Sequence, residues 1–390
     1  MALAPAFAAL RLGPAAVLAP AGAGRPSARR LSSVLYGLAK ARFADAVCLD
    51  LLCELTAPHL PEFTARDLSS AVYALAKLAH RHDGFLRAVC THAPDRLAGF
   101  NSQDLSNTIY AFGVLAYRHE HFLRSVSAFM PSRLPEFKTQ GLSNSIYALG
   151  LLNFRHDALL EAICSHSTLR LPEFQPQEIS NAVYACGRLA YKHEAFLEAV
   201  CCHLPDLLPK FASQGISNIV YAFGLLAFRR PACLRAICGH VPTRLGDFKP
   251  QGISNAVYAF GLLAYKHDAF LAAVCGHAEA RLPHFKPQHI SNTVYALGLL
   301  TFRHRGFLRA VCAHSPSRLR EFSPQNISNS VYALGLLEFR HDAFLGEVCA
   351  HVPSRLPDFS AQQLSNTVYA LGLLNFRREP FLRAVRAHLP

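Results

Sequence analysis

A tyrosine recurs every 37 residues along this chain, and no other feature constrains the fold as strongly. No insertion or deletion interrupts the period between the first copy and the last. A fixed period of about 20 to 50 residues is typical of a stacked array of small repeats, not of one globular core. The ten tyrosines are Tyr36, Tyr73, Tyr110, Tyr147, Tyr184, Tyr221, Tyr258, Tyr295, Tyr332 and Tyr369.

The first part of each repeat has the apolar spacing of a largely buried helix, which we call helix A. In the seventh repeat it is predicted over residues 251–265, with Ile253 and Phe260 among the buried positions. Pro250 opens this segment, where the missing N–H of a first helical turn costs nothing. A glycine recurs inside helix A, as at Gly261, and predicts either close approach of neighbouring helices or a local kink.

A second helix, helix B, is predicted in the rest of each repeat. In the seventh repeat a basic pair, Lys266 and His267, ends the apolar run, and Asp268 is expected to cap helix B. Neither helix can bury its apolar face alone, so each pair must stack on the next pair. The sequence therefore predicts an all-α fold, an α-solenoid of about ten 37-residue helix-turn-helix repeats over residues 31–390.

The amino-acid composition of the chain limits the kinds of partner that the protein is expected to bind. Apolar residues make up 51% of the chain and charged residues 17%, as in an ordered protein. Charged residues and histidines interrupt every apolar run of the repeats, so no membrane span and no membrane partner is predicted. The formal net charge of +13 indicates an anionic partner.

Residues 1–30 differ from the repeats, because they contain four arginines and the first acidic residue of the chain is Asp45. This composition resembles an organellar transit peptide, which predicts the mitochondrion (matrix) or the plastid (stroma) as the destination. A secretory signal peptide is the competing interpretation, but Arg11 interrupts the alanine-rich run that such a signal needs.

A cation follows each marker tyrosine by eight residues from the second repeat onward. In a solenoid, equivalent positions lie along one edge at about 8 to 10 Å, so these cations could follow a polyanion backbone. The alternative is a cation at the C-terminal end of helix A, worth about 0.3 to 1 kcal/mol. The predicted RNA-backbone-binding residues are Arg81, Arg118, Arg155, Lys192, Arg229, Lys266, Arg303, Arg340 and Arg377.

Two positions near the start of helix A vary from repeat to repeat, four residues apart. This pattern is expected of proteins that read one base per repeat with two or three side chains, although surface drift would also produce it. The asparagine between them, as at Asn255, is fixed, and it is expected to bridge neighbouring repeats, with ligand contact as the alternative. The predicted base-reading residues are Asp104, Thr108, Ser145, Glu178, His289, Thr293, Asn326, Ser330, Gln363 and Thr367.

Eight of the twelve cysteines recur at one helix-B position, usually with a histidine two residues later. In the seventh repeat these are Cys275 and His277, which would point about 200° apart on a helix and could not share a metal ion. We therefore interpret the cysteines as core residues. No phosphate loop, nucleophile elbow or isolated acid pair is present, so the sequence predicts no enzyme, metal, cofactor or small-molecule substrate.

Repeats of the form F-x-P-Q-x-I/L-S-N-x-V-Y-A-L-G-L-L, with a Pro-Glu-Phe connector as at residues 135–137, resemble the octotricopeptide and heptatricopeptide repeats. Similar repeats occur in the Fas-activated serine/threonine kinase-like family and in helical-repeat subunits of RNA-editing substrate-binding complexes. The chain departs from the resemblance in having tyrosine where tryptophan is usual. It also stops within its tenth repeat, at Pro390, which indicates either a fragment or an unusual capping arrangement.

The resemblance implies an organelle-targeted protein that binds single-stranded RNA and acts in transcript processing, stability, editing or translation. Other ribonucleoprotein subunits are possible partners. The alternative function is a noncatalytic protein-interaction scaffold of an organellar ribonucleoprotein complex.

Overall fold

The computed structural model describes residues 28–388, and within them the chain forms two α-helices per repeat. The helices A are α1 (Ala28–Ala41), α3 (Ala65–Lys77), α5 (Ser102–Val114), α7 (Thr139–Leu151), α9 (Pro176–Arg188), α11 (Ser213–Leu225), α13 (Pro250–Leu262), α15 (Pro287–Leu299), α17 (Pro324–Leu336) and α19 (Ala361–Leu373). The helices B are α2 (Ala46–Thr56), α4 (Asp83–His92), α6 (Glu120–Phe129), α8 (Asp157–Leu169), α10 (Glu194–Leu207), α12 (Pro231–His240), α14 (Asp268–Arg281), α16 (Arg305–His314), α18 (Asp342–His351) and α20 (Glu379–His388).

The predicted all-α solenoid is confirmed. Short 3₁₀ segments join most helices B to the next helix A, as at Leu282–His284, and the described residues contain no strand. The chain divides into two compact units, residues 1–196 and 197–390, and each is a stack of repeats in which every helix A packs against the next one. Residues 1–27 of the predicted transit peptide lie outside the described residues, and α1 begins at Ala28.

Helix A begins and ends at residues whose local chemistry explains its length. Pro250 is the first residue of α13, and the helix ends before Ala264, whose φ of 47° lies in the left-handed region. Every repeat has this turn, with a residue other than glycine at the left-handed position. The amide of Tyr265 then donates to the carbonyl of Phe260 at 3.0 Å, which satisfies the helix end and reverses the chain.

The glycine inside helix A marks close packing between repeats. A Cβ atom built on Gly261 would lie 3.0 Å from Cα of Ala296 in the next helix A, and one built on Gly113 would lie 2.8 Å from Cα of Ala148. The close-approach interpretation is therefore confirmed. Helix B completes the core with side chains such as Phe270, which is 1% exposed.

In the described part of the chain, no helix is long and apolar enough to cross a membrane. The same residues hold no group of three or more histidine, cysteine, aspartate or glutamate side chains that could bind a metal ion.

Candidate functional site

The nine predicted backbone-binding cations lie at the turn between helix A and helix B. Nε of Arg155 donates to Oδ1 of Asp157 at 2.6 Å, and Nη1 donates to the carbonyl oxygen of Ala190, in the next repeat, at 2.9 Å. The guanidinium also lies 5.7 Å from the ring centroid of Tyr191. Arg155 thus closes the C-terminal end of the neighbouring helix A, and its side chain remains 47% exposed.

This arrangement recurs in both units. Arg81, Arg118, Arg303, Arg340 and Lys266 likewise donate to a carbonyl oxygen 35 residues later. The acids that pair with seven of the nine cations are Asp83, Glu120, Asp157, Glu194, Asp268, Asp342 and Glu379. We call the nine cations the joining ladder, because six of them donate to a carbonyl oxygen of the next repeat. Contact of this ladder with RNA phosphates stays a prediction.

The prediction that an acid caps helix B holds only for α2, where Asp45 accepts the amide N–H of Cys48 at 2.8 Å. It is wrong for seven other helices B, because the histidine before the acid position caps them. Nδ1 of His267 accepts the amide N–H of Phe270 at 3.2 Å, and Asp268 is the first helical residue. A neutral imidazole can cap in this way because one ring nitrogen carries a lone pair. The capping histidines are His82, His119, His156, His193, His267, His304 and His341.

An arginine near the 3₁₀ segment between helix B and the next helix A also joins neighbouring repeats. Nη1 of Arg318 donates to the carbonyl oxygen of Phe285, in the preceding repeat, at 2.9 Å, and Nη2 lies 2.8 Å from Glu321. Equivalent bonds to the preceding repeat are made by Arg96, Arg170, Arg244, Arg281 and Arg355.

The predicted base-reading residues lie between the helices or at helix ends. Half of them are hydroxyl side chains that are at most 2% exposed, and each donates to the carbonyl oxygen four residues earlier: Thr108, Ser145, Thr293, Ser330 and Thr367. The others occupy the third position of helix A. Among these, Glu178, His289, Asn326 and Gln363 accept the backbone N–H of the residue before the helix, whereas Asp104 is 8% exposed.

The predicted inter-repeat bridge by asparagine is wrong, and in some repeats the serine before it makes such a bridge instead. Oγ of Ser143 donates to the carbonyl oxygen of Glu178 at 2.9 Å, and Oγ of Ser328 donates to that of Gln363 at 3.0 Å. The neighbouring asparagines form no hydrogen bond with any described residue. These asparagines are half-buried.

The fixed polar residues of helix A instead form a solvent-facing surface within each unit, which we call the Gln–Asn–Tyr face. Glutamine, asparagine and tyrosine at positions i, i+4 and i+7 share one side of a helix. Gln251 is exposed, and Asn255 and Tyr258 are half-buried. In the first unit the face consists of Gln103, Asn107, Tyr110, Gln140, Asn144, Tyr147, Gln177, Asn181 and Tyr184. In the second it consists of Gln214, Asn218, Tyr221, Gln251, Asn255, Tyr258, Gln288, Asn292, Tyr295, Gln325, Asn329, Tyr332, Gln362, Asn366 and Tyr369.

The tyrosine rings of this face form a row in each unit. In the first unit the ring centroids of Tyr147 and Tyr184 are 6.3 Å apart. In the second unit Tyr295 lies 6.4 Å from Tyr258 and 6.4 Å from Tyr332, with planes tilted by 34°. Burial, followed by the neighbouring tyrosines, raises the pKa of Tyr258, so its hydroxyl stays protonated and uncharged at neutral pH. The row therefore offers aromatic surface and neutral hydrogen-bonding groups at a regular spacing.

One cluster has the residue types of a catalytic triad but not the required hydrogen bonds. Nε2 of His193 lies 3.2 Å from Oγ of Ser165 and 3.3 Å from Oε1 of Glu161. Nδ1 of the same ring accepts the amide of Phe196, so in the neutral ring Nε2 carries the proton. A general base needs its lone pair on the nitrogen that faces the hydroxyl. His193 cannot activate Ser165 in this arrangement.

The recurrent cysteines are buried free thiols, as predicted. Burial raises the pKa of Cys275 to about 12, so the thiolate that would attack a substrate or bind a metal is not formed at neutral pH.

Comparison with known proteins gives one family match, which lies within the second unit. Residues 210–388, just under half of the chain, match the family model described as RNA-editing substrate-binding complex 6 protein. The match supports a relationship with helical-repeat proteins of RNA editing. No curated protein matches the chain. One structural relative is a chain titled "Homology model of the full-length AP-3 complex in an intermediate open conformation", with 9% identity, a TM-score of 0.29, and coverage of 93% of this chain and 79% of that one. A similarity this low carries no functional inference.

Proposed function

We propose that this protein binds single-stranded RNA along the Gln–Asn–Tyr face of helix A, as a subunit of an organellar RNA-editing assembly. The observation that carries the proposal is the same in every repeat from the third onward: one side of helix A presents an exposed glutamine, a half-buried asparagine and a tyrosine. Single-stranded RNA is held by proteins that stack bases on aromatic rings and offer hydrogen bonds to base edges. The family match of residues 210–388 supports the same class of ligand.

Because the face has the same residue types in every repeat, we expect the protein to bind RNA of many different base sequences. Each base would meet the same three side-chain types in every repeat, so no repeat would favour one base strongly. The positions that do vary, such as Thr293 and Ser330, are buried and have their hydroxyls bonded within the helix. We expect modest preferences that arise from stacking strength and not from a repeat-by-repeat code.

A titration of RNA by fluorescence anisotropy tests the proposal. The probe is a labelled single strand of about ten nucleotides, one for each repeat. Replacing Tyr258, Tyr295 and Tyr332 together by leucine keeps the apolar contact area but removes the flat rings. Stacking is worth about 1 to 3 kcal/mol per base, so the affinity should fall by about 100-fold or more.

The matched control replaces the same three tyrosines by phenylalanine, which preserves the rings. This variant should bind RNA almost as tightly as the original chain. Unchanged affinity in the leucine variant, with helix content retained by circular dichroism, would contradict the proposal.

Protein partners are the second candidate ligand, and one observation favours them. An exposed aliphatic residue ends the face in several repeats, at Val114, Leu225, Leu262, Leu299 and Leu373, each about 40% exposed. A row of this kind could contact another subunit beside the RNA. Replacing Leu262 and Leu299 by glutamine should then weaken capture of partner subunits but leave RNA affinity unchanged.

A further inference from the structure

The first two helices A differ from the later ones on the Gln–Asn–Tyr face. Where later repeats have glutamine, α1 has Arg29 and α3 has Arg66. Where most later repeats have an aliphatic residue, α1 has Lys40 and α3 has Lys77. The marker tyrosine keeps its place between the two cations of each helix. Four positive charges therefore lie on the face of these two helices, whereas the three later helices A of the first unit have one there, Arg188 of α9.

These four cations are exposed and form no ion pair within 4 Å of any described carboxylate, although Arg29 interacts electrostatically with Asp67 and Arg66 with Asp104 at longer range. The nearest acidic side chains are already engaged or buried. Asp67 accepts hydrogen bonds from Oγ of Ser32 at 2.7 Å and Oγ1 of Thr64 at 2.6 Å. Asp104 is 8% exposed and accepts no side-chain bond from Arg66. The joining ladder, in contrast, has a carboxylate beside seven of its nine cations.

The positions of the cations suit a chain molecule with a charged backbone and flat bases. Eleven residues separate the arginine from the lysine of each helix, a rise of about 16 Å along the axis. Helices α1 and α3 pack side by side, so the two arginines form one short row and the two lysines another. The tyrosines lie between these rows, and Nζ of Lys77 is 5.2 Å from the ring centroid of Tyr73.

We infer that the faces of α1 and α3 form a phosphate anchor for the RNA, in which Arg29, Arg66, Lys40 and Lys77 contact the backbone on either side of the tyrosine row. This inference rests on the proposed function, because it assigns the phosphates and the bases to different repeats of the same face. The anchor holds any sequence equally, since phosphate contacts carry no base information. The later repeats of the first unit then contact bases with a single added cation, Arg188.

The variant Arg66→Gln with Lys77→Leu tests the anchor. It gives the second repeat the residues that the seventh repeat has at the same positions, Gln251 and Leu262, so the helix should fold as before. The charge-matched control is Arg235→Gln with Arg309→Gln, two exposed arginines on helices B.

The first readout is RNA affinity measured against salt concentration. A protein that neutralises six to ten phosphates loses about 10³ to 10⁵ in affinity between low and moderate salt. Two phosphate contacts therefore account for about a tenfold change in affinity. The anchor variant should bind about tenfold more weakly at low salt, and the log-log slope should become shallower by about 0.7 for each phosphate that is no longer neutralised. The control should change neither. An equal decrease in the control, or an unchanged affinity and slope in the anchor variant, would overturn the inference.

A second probe separates this inference from the proposed function. An oligomer of the same length with ribose and phosphate but no bases should bind the anchor variant more weakly, but should bind the variant with Tyr258, Tyr295 and Tyr332 changed to leucine as well as it binds the original chain. If the intact chain binds neither probe, the proposed function fails. If it binds normal RNA through the tyrosines and the base-free oligomer is insensitive to the anchor variant, only the anchor fails.

Discussion

The edge where the repeats join and the open face of helix A both carry arginines, but the structure gives them different surroundings. Arg155, on the edge, bonds to Asp157 and to the carbonyl oxygen of Ala190 in the next repeat. Arg66, on the face, is exposed and forms no ion pair within 4 Å of a described carboxylate; its acidic neighbour Asp104 interacts with it at longer range. The recurrence of a residue therefore does not show whether it stabilises the stack of repeats or is available to a ligand. The distinction comes from whether a side chain already has a partner in the neighbouring repeat.

The comparison makes opposite predictions for the two regions. Changes on the joining edge should reduce stability and leave the RNA affinity of the folded protein nearly unchanged. Changes on the open face should reduce RNA affinity and leave stability nearly unchanged.

The largest decrease in stability is expected from Gly261→Val, where neighbouring helices A touch. Its new side chain would begin 3.0 Å from Cα of Ala296, and overpacking of this kind costs about 3 kcal/mol. Gly372→Val is the matched control, because nothing lies within 4 Å of a Cβ atom there. Urea unfolding measures both. Equal decreases would show that helix propensity and not close packing explains the glycine.

A smaller decrease is expected from Arg155→Glu on the joining ladder. The variant removes the bond to Ala190 and places a second negative charge beside Asp157. We expect the melting temperature to fall by about 2 to 4 °C. Arg66→Glu on the open face should leave it unchanged and weaken RNA binding. Weaker RNA binding by Arg155→Glu at an unchanged melting temperature would reassign the ladder to the RNA.

Acidification should weaken the joining edge through its histidine caps. Burial lowers the pKa of His119 from its ordinary value of 6.5, and the neighbouring His121 and Arg87 lower it further. The unfolded chain then takes up the proton more readily than the folded chain. The cap's contribution is complete above pH 6.5 and disappears as the pH falls through the lowered pKa.

Thermal unfolding between neutral pH and mildly acidic pH measures this effect. The variant His119→Asn keeps a side-chain acceptor at the cap but cannot be protonated, so its melting temperature should fall less steeply on acidification. A pH dependence identical to that of the original chain would exclude His119 as a contributor.

The smallest effect, an increase in stability, is expected from Thr301→Gly at the end of α15. Thr301 has a φ of 47°, which is unfavourable for a β-branched residue, and glycine should stabilise the turn by about 1 kcal/mol. Asn375, at the equivalent turn, tolerates this conformation better, so Asn375→Gly should be stabilised less. Chemical unfolding measures both. A destabilised Thr301→Gly variant would mean that the threonine side chain stabilises the turn more than its backbone strains it.

The repeat and its two helices could be predicted from the sequence, but their boundaries could not. Helix A of the seventh repeat is predicted over residues 251–265, whereas α13 ends at Leu262. The end depends on Ala264, which adopts a left-handed conformation without the glycine that usually signals one. The histidine cap escapes prediction for a similar reason, since histidine is not among the residues that usually cap helices.

The candidate site is less predictable than the fold. Helical spacing places Asn255 and Tyr258 on a common helix, but it cannot show that the asparagine lacks a partner. Variability draws attention to positions such as Thr293, which is buried. A helical projection of the fixed polar residues would have found the Gln–Asn–Tyr face. The sequence does not show which of these polar groups would find partners in the neighbouring repeat.

The sequence by itself determined the 37-residue repeat, the pair of helices in each copy and the burial of the cysteines, because apolar spacing along a helix is a local property of the chain. Only the tertiary structure decided which polar groups form hydrogen bonds within the stack of repeats. A donor such as Arg155 meets its acceptor 35 residues later, and the register between neighbouring repeats fixes that meeting. The same register leaves the glutamines, asparagines and tyrosines of helix A facing the solvent, where a ligand can reach them.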